Sequence, residues 1–381
     1  MRVELLVPDM PTAAELLPWL ERIDANRWYT NFGPLAGELE ARLREELQAA
    51  GEKPLFVTSV SNATAGLELT LAALGVKPGA RVLVPALTFV ASATAIVRAG
   101  CEPVVADIDA GNWTLTPAIA QAACARTRVD AVLTVSTFGV PHEVAAWDDF
   151  SARTSIPALI DAAGAWGNQR CNGRTPVVFS LHATKSLGAG EGGLIASTDS
   201  AIVSGVRRAT NFGINLDASA PTPFGQVAQP GTNAKLSEYH AAVGLANLAR
   251  WNERATRRRA LMAEMRTRLA ALPGLVPAWQ QGDTSLVRTL LSFGVASGSL
   301  RDAIEEACAL AGIATRRWYL PTLDRHPAFV TCERAGELPV ATRLCETLIG
   351  LPFHLHLASA DKDAVIVAVE RGVARCANTA T

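Results

Sequence analysis

Apolar positions along the chain fall into short unbroken runs that alternate with stretches where they recur every three or four residues. Runs at 55–60, 81–85, 103–106, 131–135, 158–161 and 176–181 read as buried strands, and a further apolar run begins at Leu194. Between them, 64–74, 90–98 and a segment from Thr116 carry helical periodicity. Upstream, Asn31-Phe32-Gly33-Pro34-Leu35 reads as a turn, and Leu35, Leu39 and Leu43 give the helix after it one buried face. Repeated strand–helix alternation predicts an α/β fold with a mostly parallel sheet covered on both faces. Ligands of such sheets bind beyond the carboxyl ends of the strands.

The later part of the chain reads differently. After a loop rich in Pro, Gly and Asn over residues 211–231, the pattern predicts one long helix from Ala234 to about Leu272. Residues 286–295 read as a strand. A helix with Ser299 as its N-cap runs to about Ala311 and stops at Gly312. Residues 314–320 read as another strand, and a last helix spans about 359–373. This order suits a small C-terminal α/β domain over residues 251–381, packed on an N-terminal arm and large domain over residues 1–250.

Composition narrows the class. With 381 residues the chain is long enough for two domains, and a formal net charge of −1 gives no electrostatic reason to expect nucleic acid or an anionic membrane as partner. The seven cysteines are odd in number, scattered and free of Cys-x-x-Cys spacing, which suits reduced thiols. No basic-then-apolar leader opens the sequence and no apolar run is long enough to span a bilayer, so a soluble cytoplasmic protein is expected. His354 and His356 have no accompanying Cys or carboxylate cluster, and no metal site is expected. Arg257-Arg258-Arg259 reads as a solvated helix face, and Trp113, Trp166 and Trp318 as core or loop packing.

Four stretches at predicted strand ends carry candidate chemistry. Ser61-Asn62-Ala63-Thr64 is either an ordinary helix N-cap or a cup whose free amides and hydroxyl hold a phosphate. Phe89 is either core or a ring that stacks on a flat heteroaromatic ligand. Asp161 ends an apolar strand, and a buried carboxylate there requires a cap or a cation as partner. Lys185 follows the run 176–181 and precedes the Gly-rich Gly188-Ala189-Gly190-Glu191-Gly192-Gly193, so it stands at the mouth of a strand. Taken singly, each has an ordinary structural explanation. Together they are the parts that pyridoxal phosphate needs: a phosphate cup, a stacking aromatic, an Asp for the pyridine nitrogen and a Schiff-base lysine.

On these residues the chain resembles the DegT/DnrJ/EryC1/StrS family of sugar aminotransferases, whose fold is aspartate-aminotransferase-like (pyridoxal phosphate fold type I). The resemblance runs from Thr30-Asn31-Phe32-Gly33-Pro34-Leu35 to Leu351-Pro352-Phe353. Between these lie Val84-Pro85-Ala86-Leu87-Thr88-Phe89, Asp161-Ala162-Ala163, Ser180-Leu181-His182-Ala183-Thr184-Lys185 and Gly231-Thr232-Asn233-Ala234-Lys235. The resemblance implies that Lys185 is the Schiff-base lysine, Asp161 the pyridine-nitrogen partner and Phe89 the stacking ring. It implies phosphate contacts from Ala63, Thr64 and Ser180, and from Asn233 across a homodimer with shared active sites. Asn31, Lys235, Arg317 and Tyr319 are the candidate substrate contacts. The implied reaction moves an amino group, usually from glutamate, to a keto group of a nucleotide-linked sugar, with C4 of a deoxyhexose the preferred position.

Some positions depart from the family pattern: the segment between Gly173 and Phe179 is shorter than usual, and a family histidine has no clear counterpart near Asp324. Gly164 stands where the family has Gln, and Trp166 where a His is common. Some relatives carry His in place of the lysine and act as dehydratases, which Lys185 argues against. Two alternatives remain at this level: a pyridoxal phosphate enzyme acting on a non-nucleotide keto sugar or cyclitol, and a non-catalytic binding or regulatory protein with the same fold.

Overall fold

The computed structural model describes residues 2–49, 52–282 and 284–379. Among these residues the chain forms strands β1 (Phe56–Val60), β2 (Arg81–Pro85), β3 (Glu102–Ala106), β4 (Ala131–Val135) and β5 (Ala158–Asp161), then β6 (Val177–Ser180) and β7 (Gly193–Ser197). Three short strands follow late in the chain: β8 (Leu291–Gly294), β9 (Glu333–Arg334) and β10 (Leu348–Leu351). One sheet has the order β1-β7-β6-β5-β4-β2-β3-β9, and β8 and β10 form a separate antiparallel pair. The large sheet is parallel except at β7, which runs antiparallel to both β1 and β6.

The strand runs are apolar throughout because both faces of the sheet are covered. Val132, Ile160, Val177, Phe179 and Leu194 belong to one core cluster, whereas Ala131, Leu133, Leu159, Val178 and Ile195 belong to the other. Successive residues of a strand point to opposite faces, so an unbroken apolar run serves both layers. Each large aliphatic side chain so buried contributes roughly 1.5–3 kcal/mol.

The helices are α1 (Ala13–Asn26), α2 (Pro34–Leu47), α3 (Ala63–Ala73), α4 (Ala91–Arg98), α5 (Pro117–Cys124), α6 (Val144–Thr154) and α7 (Ser200–Thr210). In the later part of the chain come α8 (Glu238–Leu248), α9 (Trp251–Ala270), α10 (Gly298–Leu310), α11 (Pro339–Thr347) and α12 (Ser359–Thr379). The apolar faces of α9, α10 and α12 meet β8 and β10 in a third core cluster, which also takes in Val3. The start of α2 is pinned to α8 by buried Glu238, whose carboxylate accepts from the amides of Leu35 and Ala36, both at 2.8 Å. That contact satisfies two of the amides a helix N-terminus leaves open and places negative charge at the positive end of its dipole.

Several sequence expectations need correction. The expected helix from Ala234 to Leu272 is two helices, α8 and α9, broken at Ala249 and Arg250. Ala234 itself lies outside both helices, its amide donating to the carbonyl of Thr210, and Ser237 caps α8. The N-cap of α10 is Ser297, whose Oγ accepts from the Leu300 amide, and not Ser299. Residues 314–320 are not a strand: Arg316 alone pairs, with Gly350, while Trp318 turns into the core. The Arg257-Arg258-Arg259 run is not wholly solvated, because Arg258 is buried beside Arg254 and Asp9. Trp113, Trp166 and Trp318 are all core residues.

Candidate active site

The carboxyl ends of β1, β2, β4 and β5 open onto one cavity with an empty volume of about 580 Å³. Asn62 caps α3 by accepting from the Ala65 amide at 2.9 Å. Ala63 and Thr64, first in that helix, have no partner within it, and both line the cavity. Sequence reasoning set the N-cap against the phosphate cup as alternatives. The structure accommodates both, since Asn62 serves as cap while Ala63 and Thr64 after it line the cavity.

Asp161 ends β5, buried between Val135 of β4 and Val178 of β6. Its Oδ2 accepts from Ser92 Oγ at 2.8 Å, and its Oδ1 from the Ala163 amide at 3.0 Å. Ser92 Oγ in turn lies 3.0 Å from Thr88 Oγ1. Burial raises the Asp161 carboxyl above its ordinary range, against the opposing pull of Ser92, Ala163 and the charge of Lys185. Burial likewise lowers the Lys185 ammonium below its ordinary range, and Asp161 works in the opposite sense.

Lys185 is held by the loop between β6 and β7. The amide of Leu181 donates to Gly192, that of Ala183 to Gly190 and that of Lys185 to His182. Gly192 sits at φ 157°, and a β-carbon there would come within 3.1 Å of Leu236 and 3.2 Å of Leu181. A side chain would therefore press this loop out of register.

Phe89 is 52% exposed, so it is a rim residue and not core. Its ring lies 6.2 Å from that of Tyr319, which stacks on Phe138 at 5.4 Å with the planes 5° apart. Burial pushes the Tyr319 hydroxyl well above its usual range, and Asp161 adds to this. Further wall residues are Ser136, Thr137 and Phe138 after β4, and Thr289 and Leu290 before β8. Sequence reasoning missed these five. Gly164 is also in the wall, and a β-carbon there would have only Thr289 Oγ1 near it, at 3.9 Å.

Thus Ala63, Thr64, Phe89, Asp161, Lys185 and Tyr319 share one cavity. The other candidates do not line this cavity. Ser180 is buried at the end of β6, its Oγ accepting from the His182 amide. Asn233 is exposed and accepts from Lys235 Nζ at 2.7 Å, while Lys235 also stands over the Phe212 ring. Asn31 is exposed, with φ 59°. Arg317 does not line the cavity; its guanidinium donates to Glu305 and Asp302 of α10. His182 bonds Thr184, and His354 the carbonyl of Glu4. Among the described residues no group of His, Cys, Asp and Glu could hold a metal ion, and no helix is long and apolar enough to cross a membrane.

The residues present fit pyridoxal phosphate. Open helix-start amides suit its phosphate, the buried carboxylate its ring nitrogen, and the burial-weakened lysine its carbonyl.

Comparison with known proteins agrees. Protein Mb3436c of Mycobacterium bovis is 32% identical over 98% of this chain and 91% of its own length. The crystal structure of DesI superposes with a TM-score of 0.84 at 29% identity, covering 100% of this chain and 96% of that one. DesV of S. venezuelae superposes at 0.82 with 27% identity, over 96% and 99% of the two chains. Fold and relatives together define a pyridoxal-phosphate-dependent sugar aminotransferase of fold type I. The chain belongs to the DegT/DnrJ/EryC1/StrS aminotransferase family, whose model matches residues 12–370.

Proposed function

We propose that the enzyme moves an amino group from glutamate to the C4 keto group of a nucleotide-linked deoxy sugar. The observation that carries the reading is the meeting of Lys185 and Asp161 in one cavity under the open amides of Ala63 and Thr64. Support for the sugar class comes from DesI, whose structure was determined in the presence of its TDP-sugar product.

Bound pyridoxal phosphate supplies an electron sink for charge that develops at the carbon losing a proton. Ala63 and Thr64 would hold the phosphate, with Ser180 supporting the loop below. Asp161, anchored by Ser92 and Ala163, would offer a negative charge to the ring nitrogen and so favour a proton there. Lys185 would anchor the cofactor between turnovers. Its neutral amine, when free, would remove and return the proton at the substrate carbon. Phe89 and Tyr319 would stand beside the ring and narrow the mouth against water.

In this reading the active site is shared across a homodimer, in the cytoplasm. Phe212, Leu216, Phe224 and Val227 are exposed on the segment that precedes Asn233 and Lys235. An apolar strap of this kind suits burial against a second copy. Asn233 would then reach the partner's phosphate, with Lys235 and Asn31 beside the partner's substrate. A second reading, a substrate without a nucleotide, is favoured by 3-amino-5-hydroxybenzoic acid synthase, 25% identical over 98% of this chain with a TM-score of 0.82.

The deciding experiment follows the cofactor's visible absorption in the purified holoenzyme. Glutamate is expected to shift the band, and a nucleotide-linked 4-keto sugar to restore it where the free sugar does not. Restoration by the free sugar alone favours the second reading, and a band indifferent to every amino donor overturns aminotransfer.

A further inference from the structure

Behind the active-site wall lies a second, smaller cavity with an empty volume of about 300 Å³. Phe138 and Leu290 line both spaces. The far side carries two arginines, Arg266 from α9 and Arg288 from the segment before β8. Arg288 is only 8% exposed, and its Nη1 donates to the Phe138 carbonyl and to Gln280 Oε1, both at 2.8 Å. Both acceptors are neutral. The Arg266 guanidinium stands 4.6 Å from the centre of the Trp279 ring.

Among the described residues, no carboxylate pairs with either guanidinium. Burial, together with the charge of Arg266, holds Arg288 down at about 10. Ser292 Oγ, on β8, is buried without a hydrogen-bond partner and lines the same cavity. Two partly desolvated cations and an unused hydroxyl therefore face one small space, with no negative charge among the described residues to balance them. Burying cations without a counter-charge is costly, and the guanidinium fork matches a pair of oxygens on a carboxylate or phosphate.

We infer that this cavity binds a small oxyanion, carboxylate or phosphate, between Arg266 and Arg288 with Ser292 Oγ as a further donor. The anion has two sources: the distal carboxylate of a dicarboxylic amino donor passing the Phe138–Leu290 wall, or a free anion. Its binding does not depend on which sugar the enzyme aminates.

The test titrates the holoenzyme with inorganic phosphate, and separately with glutarate, at constant ionic strength set by sodium chloride while thermal unfolding is followed. A saturable rise in Tm is expected. Arg266→Gln, at a partly exposed position, should move the titration midpoint at least about tenfold higher, and Arg288→Lys should do the same. Excluded salts also raise Tm without binding, so the shift in midpoint between wild type and variant is the quantity read. If Arg266→Gln also raises the KM for glutamate about tenfold and leaves alanine as donor unaffected, the anion is the donor's distal carboxylate. An unchanged KM beside a weakened phosphate response assigns a free anion. Titrations that superimpose for wild type and both variants, or no saturable response in the wild type, overturn the site. None of these binding readouts needs turnover, so they remain informative should the proposed amination fail.

Discussion

Mild acid is expected to weaken the fold through one buried histidine close to the active-site wall. His142 is 8% exposed. Its Nε2 lies 3.0 Å from the Val135 carbonyl and 3.1 Å from Thr134 Oγ1, which itself donates to the Leu115 carbonyl. That arrangement puts the ring proton on Nε2, so acid must add one at Nδ1. Among the described residues no carboxylate offsets the resulting charge, and burial pushes the imidazole down from 6.5 to about 4. Between these two values the unfolded chain binds a proton that the folded chain refuses. Stability contributed by neutral His142 is thus complete above about pH 6.5 and is lost progressively as pH falls towards 4. The gap amounts to about 3 kcal/mol, a sizeable part of an ordinary folding free energy of about 5–15 kcal/mol.

The consequence reaches the site. The His142 amide donates to Gln169 Oε1 at 2.7 Å, and Ser136 Oγ donates to the same oxygen at 3.1 Å. Ser136 is a cavity residue. Urea unfolding of wild type and His142→Gln should be compared from about pH 7 to about pH 4, at matched protein concentration. Other titrating groups contribute equally to both proteins. The wild type should therefore lose about 3 kcal/mol more than the variant across this window. Parallel pH profiles would refute the reasoning.

Three further outcomes follow from the geometry. Lys185→Ala should cut turnover by at least about 10³-fold, while the phosphate and ring contacts still retain the cofactor, checked by steady-state rates beside cofactor content. Near-normal turnover would remove Lys185 from its assigned role. Asp161→Asn should lower the Lys185 ammonium further, since Asp161 is the group that raises it, and so move the acid limb of any residual kcat profile to lower pH; an unmoved limb counts against the pairing. Glu238→Ala leaves the amides of Leu35 and Ala36 without their charged acceptor and should cost about 3 kcal/mol in chemical denaturation. A loss below about 0.5 kcal/mol would show that the buried carboxylate is not what anchors α2.

Much of the site was legible because its parts lie where apolar runs give way to small or polar residues. Asp161 closes one such run, Lys185 follows another, and Thr64 and Phe89 come just beyond the first two. Each is defined within a few residues of chain. Thr289 and Leu290 carry no such local mark, since they reach the cavity only through the long-range packing of the segment before β8. Phe138 enters through a turn in which it holds φ 52°, a conformation no pattern of hydrophobicity announces. Arg317 and Tyr319 show the converse limit. They stand two residues apart, yet one faces Glu305 and Asp302 on α10 and the other the cavity, because the segment is not the regular strand that its alternation suggested. Arg258 looked solvated for the same reason: charge in sequence does not reveal which face of α9 is covered.

The pairing of Asp161 with Lys185 explains why neither residue could be judged alone. Burial acts on both, but in opposite directions, raising the acid and lowering the base. Each residue's charge then offsets part of the other's burial. Ser92 and Ala163 stabilise the charged form of Asp161 specifically, by donating to its two oxygens. Lys185 has no comparable acceptor for its ammonium among the bonds described, and burial favours its neutral amine. A base must be neutral to take a proton, and a ring nitrogen needs a fixed negative charge to keep one. On the proposed function, that asymmetry in hydrogen bonding, more than the presence of either residue, is what would let a strand-end carboxylate and a loop lysine act as parts of one proton-transfer device.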